Sequence, residues 1–231
     1  MRKLLLHERT YKNKLINTNC WIFDLDNTLY PASCNLFMKI DKKITAYIAK
    51  FLGINNKQAD QIRKSYYRDY GTTMSGMMAL HGMKPKEFLD DVHDVELDNI
   101  PPNPDLGKAL SRLSGRKIIF TNGTINHAER VLNQLTIQHH FDEIFDIIGA
   151  NYIPKPCPET YEMIVKKYGI DTSKTVMVED LVRNLVPAAA MGMTTVWVRP
   201  YQKLELEPSF FNKINLVVDD LTSWLSSLEQ T

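Results

Sequence analysis

Phe23-Asp24-Leu25-Asp26-Asn27-Thr28-Leu29-Tyr30 sets two carboxylates two residues apart, directly after the apolar run Cys20–Phe23. Strand periodicity puts both side chains on one side, where they repel unless a cation or a shared proton relieves them. The plainer alternative is a solvated strand-end loop or a helix cap. Phe120-Thr121-Asn122-Gly123 follows a second apolar run. A hydroxyl, an amide and a flexible backbone there can donate to an anion at a helix start, or simply cap the helix. Lys155 stands between Pro154 and Pro156, a rigidly mounted cation able to offset phosphate or carboxylate charge, unless it is one more solvated lysine. Glu179-Asp180 follow a third run, with Asn184 one helical turn on. Acids at a strand end suit a hard cation such as Mg²⁺, which takes one or two carboxylates and keeps several waters. They equally suit a helix N-terminus.

These sets need elements to hold them. Cys20-Trp21-Ile22-Phe23, Lys117-Ile118-Ile119-Phe120, Thr175-Val176-Met177-Val178 and Thr194-Thr195-Val196-Trp197-Val198 are rich in β-branched or aromatic residues without clean alternation, the pattern of parallel strands covered on both faces. Leu216-Val217-Val218 is a weaker fifth. Helical spacing follows over 126–135, over 158–168 with Gly169 after it, and over 182–191 before Gly192. The alternation predicts a doubly wound α/β sheet. Between the first and second strands it breaks. Leu36, Phe37, Ile40, Ile44, Ile48, Phe51 and Leu52 share one helical face ended by Gly53, and 56–70, 72–80 and 86–95 also read as helices. Ile100-Pro101-Pro102-Asn103-Pro104 reads as a stiff linker. The expected layout is an arm and first strand over 1–31, a helical cap over 32–103 and the rest of the core over 104–231. Such a cap would cover the carboxyl ends of the strands, where open α/β sheets bind ligands.

A chain of 231 residues, 44% hydrophobic and 24% charged, has ample material for a core. Twenty-eight Lys+Arg against 27 Asp+Glu leave a net charge of +1, which argues against a general nucleic-acid binder. Cys20, Cys34 and Cys157 form no C-x-x-C pair, so neither a disulfide framework nor a structural zinc is expected. Nothing approaches eighteen consecutive apolar residues, and Met1-Arg2-Lys3-Leu4-Leu5-Leu6-His7 lacks the long apolar run of a secretory signal. The expectation is a cytoplasmic protein whose Lys/Asn-rich first nineteen residues form a flexible arm or an added strand.

In order, the four sets are carboxylates, hydroxyl-amide, lysine and carboxylates. This resembles the haloacid dehalogenase superfamily of phosphohydrolases, whose motifs run D-x-D, Ser/Thr, Lys and acidic. Within it, Phe23 to Tyr30, Tyr70-Gly71-Thr72-Thr73, Gly76, His93-Asp94, Thr121-Asn122-Gly123 before His127-Ala128, and Lys155-Pro156 with Pro158 and Tyr161 look like the pyrimidine 5′-nucleotidase branch. The resemblance implies a Rossmannoid core with a C1-type helical cap after the first strand. It implies Asp24 as a nucleophile that forms an aspartyl-phosphate, and Asp26 as general acid and then base; the dehalogenase branch lacks an aspartate at the Asp26 position. It also implies Mg²⁺ held by the Asp24 carboxylate, the Asp26 backbone carbonyl and Asp180, with Glu179 and Asn184 supporting. Thr121, the backbone around Asn122 and Lys155 would hold the phosphoryl oxygens. Leu181 stands where relatives often carry Ser or Thr, and Glu179-Asp180 where Gly-Asp or Asp-Asp is more usual.

The implied partner is a small phosphomonoester, a nucleoside monophosphate first, with no nucleic-acid polymer and no membrane. Tyr70, Thr72, Thr73 and His81 are expected in the leaving-group pocket, or else packing cap helices. Met74, Met77, Met78 and Met83 read as core filler, with a plastic lid surface as the other option. The competing functions are a phosphatase for sugar phosphates, phosphoglycolate or lysophospholipids, a phosphomutase, and a non-catalytic phospho-accepting module.

Overall fold

Six parallel strands form one sheet in the order β3-β2-β1-β4-β5-β6. They are β1 (Cys20–Phe23), β2 (Arg116–Phe120), β3 (Glu143–Phe145), β4 (Thr175–Glu179), β5 (Thr194–Val198) and β6 (Leu216–Val218). The computed structural model describes residues 14–200 and 204–228. The expected N-terminal arm or strand lies mostly outside the described residues, of which 14–16 are helical. No described helix is long and apolar enough to cross a membrane.

Alternate strand residues feed two cores, as a period of two requires. Trp21, Phe23, Ile119, Val176, Val178, Val196 and Val198 enter one, against helices α5 (Pro104–Ser111), α6 (Ile125–Gln134) and α9 (Leu221–Ser227). Cys20, Ile22, Ile118, Phe120, Met177 and Trp197 enter the other, against α7 (Pro158–Tyr168) and α8 (Val182–Ala190). Both faces are therefore covered, which explains the strands' lack of polar alternation.

Between β1 and β2 lie the four helices of the cap, α1 (Leu36–Leu52), α2 (Asn56–Tyr70), α3 (Thr73–His81) and α4 (Pro85–Val92). They close a third core around Ile48, Met74, Met77, Met83, Phe88, Leu89 and Val92. Met74, Met77 and Met83 are buried there and Met78 packs against them, so the cap methionines are core filler. Phe37 and Phe51, expected on the buried face of α1, are instead 41% and 44% exposed. The buried residues of that helix are Leu36, Ile40 and Ile48; Phe37 shares their face but borders the cavity between cap and core instead of packing into it.

Three elements carry little signal in the sequence. Strand β3 is three residues long, too short for a periodic signal. Helix α5 begins at Pro104, inside the stretch that reads as a linker; proline is well suited to that first helical position. Helix α9 is only seven residues long, capped by the Asp220 side chain on Ser223 N–H.

Candidate active site

The site is set by sheet register. Phe23 pairs with Ile119 on one side and Val178 on the other, so the next residues, Asp24, Phe120 and Glu179, stand level at the ends of three adjacent strands. This is also where the strand order reverses about β1, the switch point at which open α/β sheets bind ligands. Lys155 reaches all three. Its Nζ donates to Asp24 Oδ1 at 2.7 Å, to the Phe120 carbonyl at 2.7 Å and to Glu179 Oε2 at 2.8 Å. The side chain is 1% exposed. An ammonium has three hydrogens, and all three are spent on the protein. The lysine expected from the sequence to meet the phosphoryl oxygens is therefore tied here to the acids and to the β2 carbonyl.

The other Asp24 oxygen, Oδ2, accepts from Thr28 Oγ1 at 2.8 Å, so the carboxylate plane is fixed from both sides. Glu179 Oε1 accepts from Leu181 N–H at 3.1 Å. The Leu181 side chain gives helix α8 no side-chain cap and is partly exposed at the mouth of the site. Trp197 Nε1 donates to the Asp180 carbonyl at 2.8 Å, anchoring that turn from β5. Thr121 Oγ1 accepts from Gly123 N–H at 2.9 Å, which leaves the hydroxyl hydrogen available. The Asn122 side chain is committed elsewhere: it pairs with the Lys155 backbone, accepting from its N–H at 2.8 Å and donating to its carbonyl at 3.1 Å. Asn122 therefore holds the lysine loop.

Asp24, Glu179 and Asp180 bring ligand oxygens within 4.8 Å of one another, all buried. Three carboxylates against one ammonium leave excess negative charge in a low-dielectric place. Burial, then Glu179, pushes the Asp24 carboxyl well above its usual range against the pull of Lys155. Burial, Glu179 and Asp24 push Asp180 up as well. For Lys155, burial works against the charge, but Asp24 and Glu179 outweigh it and hold the ammonium above its ordinary value. Asn184 Oδ1 is buried beside this cluster without a hydrogen-bond partner. An all-oxygen, acid-rich donor set with an unsatisfied amide oxygen fits a hard divalent cation.

Asp26 is turned away from this cluster. The strand ends at Phe23, so the same-side argument from strand periodicity does not carry to Asp26. Its Oδ1 accepts from Tyr30 OH at 2.6 Å and pairs with His127 Nε2 at 2.9 Å. Burial alone would raise its pKa, but the His127 and Tyr30 contacts prevail and hold it at about 2. Neither Tyr30 nor His127 has a role in the sequence reading. A signal was present for His127: it lies among Ala128, Val131 and Leu132 on the buried face of α6, an imidazole where an aliphatic residue would pack more cheaply.

Above the strand ends, core and cap enclose a cavity of about 420 Å³. Asp24, Asp26, Thr121, Asn122, Lys155, Glu179, Asp180 and Asn184 line its floor, and Phe37, Ile44, Phe88, Leu89 and Val92 its apolar wall. Arg63, Tyr67, Thr72, Thr73, His93 and Arg183 add polar groups that the sequence reading names only in part. Thr72 also caps α3 through Ser75 N–H, and Thr73 Oγ1 donates to the Arg63 carbonyl at 3.0 Å. Tyr70 and His81, expected in this pocket, are not among its lining residues. His81 pairs with Tyr66 OH at 2.7 Å, and Tyr70 packs its ring edge-on to Tyr66; both sit on the exposed side of the cap.

A parallel sheet with this acid-lysine cluster at its switch point, roofed by an inserted helical cap, defines a hydrolase of the haloacid dehalogenase type. Residues 18–192 match the haloacid dehalogenase-like hydrolase family, and the chain belongs to it. It is 27% identical over 190 residues to "Phosphate metabolism protein 8" of Saccharomyces cerevisiae, a match covering 75% of this chain and 59% of that longer protein. It is 28% identical over 190 residues to the "Glyceraldehyde 3-phosphate phosphatase" of Methanocaldococcus jannaschii, covering 76% and 82%. In fold it is similar to the crystal structure of a HAD phosphatase from Thermococcus onnurineus, with a TM-score of 0.63 at 19% identity over 93% of this chain and 100% of that one.

Proposed function

We propose that this protein is a Mg²⁺-dependent phosphomonoester hydrolase working through an aspartyl-phosphate on Asp24, with a nucleoside 5′-monophosphate, pyrimidine first, as substrate. The observation that carries the reading is the single ammonium of Lys155 bridging Asp24 and Glu179 beside Asp180 under a roofed cavity. Asp24, Glu179, Asp180 and the Asp26 carbonyl would hold Mg²⁺, with Asn184 orienting. Bound there, it supplies the positive charge that keeps the carboxylates ionised and offsets charge on the phosphoryl oxygens.

Asp24 attacks phosphorus with its carboxylate plane fixed by Lys155 and Thr28. The Thr121 hydroxyl and the Asn122 main-chain N–H bind the transferring oxygens as charge develops on them. Asp26 gives a proton to the departing alkoxide and then takes one from the water that cleaves the aspartyl-phosphate. The His127 and Tyr30 contacts keep Asp26 ionised; a phosphate dianion brought beside it raises its affinity for a proton.

The cavity volume of about 420 Å³ falls in the usual range of about 300–1,000 Å³ for sites that enclose a ligand. Its apolar wall suits a base more than a bare triose. A second reading, a sugar or triose phosphate, draws support from the printed activity of the Methanocaldococcus relative. Phosphate release with Mg²⁺ over CMP, UMP, AMP, glyceraldehyde 3-phosphate, fructose 1-phosphate, phosphoglycolate and a lysophospholipid tests both. Highest kcat/KM on CMP or UMP is expected. A preference for the sugar phosphates selects the second reading, and no phosphate from any ester, p-nitrophenyl phosphate included, overturns the hydrolase proposal.

A further inference from the structure

Among the described residues, Asp26 Oδ2 takes no hydrogen bond, whereas Oδ1 takes two. Tyr30 OH and His127 Nε2 converge on that one oxygen from the turn after β1 and from α6. His127 is 0% exposed, and among the described residues Asp26 is the polar partner its side chain has, its Nδ1 being buried without one. Burying an imidazole with one unpaired nitrogen is costly. To donate to a carboxylate, Nε2 must carry a hydrogen.

The ring is also held in place. His93, at the end of α4, stacks on it at 4.5 Å between centroids and 17° between planes. The His93 carbonyl is in turn held by Arg130 Nη1 at 2.8 Å. On a neighbouring side stands Gly123, where a Cβ would lie 3.1 Å from His127 Cδ2; the glycine leaves the ring its room.

We infer that His127 and Tyr30 are positioning residues that lock the Asp26 carboxylate by Oδ1, so that Oδ2 is the atom presented to the leaving-group oxygen. This rests on the hydrolase reading above. In the step concerned, an Asp24 oxygen bonds to phosphorus, the phosphorus–ester oxygen bond breaks, and the proton on Asp26 Oδ2 passes to that oxygen. An alcohol departs and Asp26 is left ionised. A carboxylate free to rotate would divide its time among poses that miss the ester oxygen.

The test compares kcat/KM for an alkyl phosphate, whose leaving group needs the proton, with that for p-nitrophenyl phosphate, whose leaving group departs without one. kcat/KM reports the first phosphoryl transfer and excludes the shared hydrolysis of the aspartyl-phosphate. His127→Phe keeps the ring and the stack but removes the donor, and Tyr30→Phe removes one hydroxyl. Each is expected to lose roughly 10–100-fold more on the alkyl ester than on the aryl ester, the scale of acid–base help. His127→Gln, which restores an N–H, should recover part of the difference. Equal losses on both esters, or none, would overturn the inference by making the pair merely structural. If His127→Phe fails to fold by circular dichroism, Tyr30→Phe decides alone. A wild-type enzyme silent on both esters overturns the hydrolase reading, and this inference with it.

Discussion

The floor and the roof of the cavity are built on opposite terms. On the floor, the charged groups are held in fixed partnerships: Lys155 spends all its hydrogens, and Asp24 is gripped on both oxygens. The roof is a wall of aliphatic and aromatic side chains from helices whose own core is rich in methionine, a side chain that repacks readily. The contrast teaches a division of labour. Chemistry needs atoms placed to within a fraction of an ångström, so it is mounted on strand ends in fixed register. Choice of leaving group is a matter of shape and apolar area, so it can rest on a softer element.

The largest expected effect lies on the floor. Asp24→Asn should reduce turnover about 10⁴-fold or more on every ester, since the proposed nucleophile is lost; a substrate-dependent loss would break the division. Lys155→Met should come next, because it strips the buried acids of their cation. Removing one partner of a buried pair costs about 3–5 kcal/mol, to be read in a chemical-denaturation curve, and added Mg²⁺ should return part of it.

A third prediction concerns protons. Asp24 and Asp180 are held above their ordinary range, so the metal-free folded state binds more protons there than the unfolded chain. These groups therefore weaken the fold as pH rises above about 4, where unfolded carboxyls ionise. His93 works the other way: burial holds it at about 3, so its contribution is present above about 6.5 and fades as pH falls. The difference in Tm with and without Mg²⁺ isolates the acids, because a metal must displace their protons. At 100-fold excess over Kd it should be about 5–10 °C at pH 8, and it should shrink towards zero at pH 5. A pH-independent shift would remove the cluster from metal binding.

The smallest effects belong to the roof. Phe37→Ala, on the exposed rim of the apolar wall, should change the ratio of kcat/KM between two esters by about 10-fold. Tyr70→Phe and His81→Gln, outside the wall, should leave that ratio within about 2-fold. Larger shifts from the second pair would mean that the cavity closes differently around substrate.

The same contrast governs what is legible in the sequence. Asp24, Thr121, Glu179 and Asp180 can be picked out because each follows an apolar run, and a parallel sheet turns that local fact into a shared location. The four cap helices are readable from period and caps. Which cap residues face the cavity is not, because that depends on how α1 to α4 are rotated and stacked; Phe37 and Tyr70 are misassigned for this reason. Asp26 shows the limit on the floor as well. Periodicity holds only while the strand lasts, and one residue past Phe23 the chain has begun to turn towards His127.

Among the described residues, Arg130 and Arg183 of the core bind the main chain of the cap. Arg130 donates to the carbonyls of His93 and Val95, and Arg183 to that of Gly71. A carbonyl oxygen is the same whatever side chain its residue carries, so the Arg130 latch is indifferent to the identity of the positions it grips, whereas Arg183 also stands 4.3 Å from the centre of the Tyr67 ring. Much of the roof's lining can thus change by mutation without loosening the Arg130 joint, while Tyr67, which lines the cavity, is tied to the seat of Arg183.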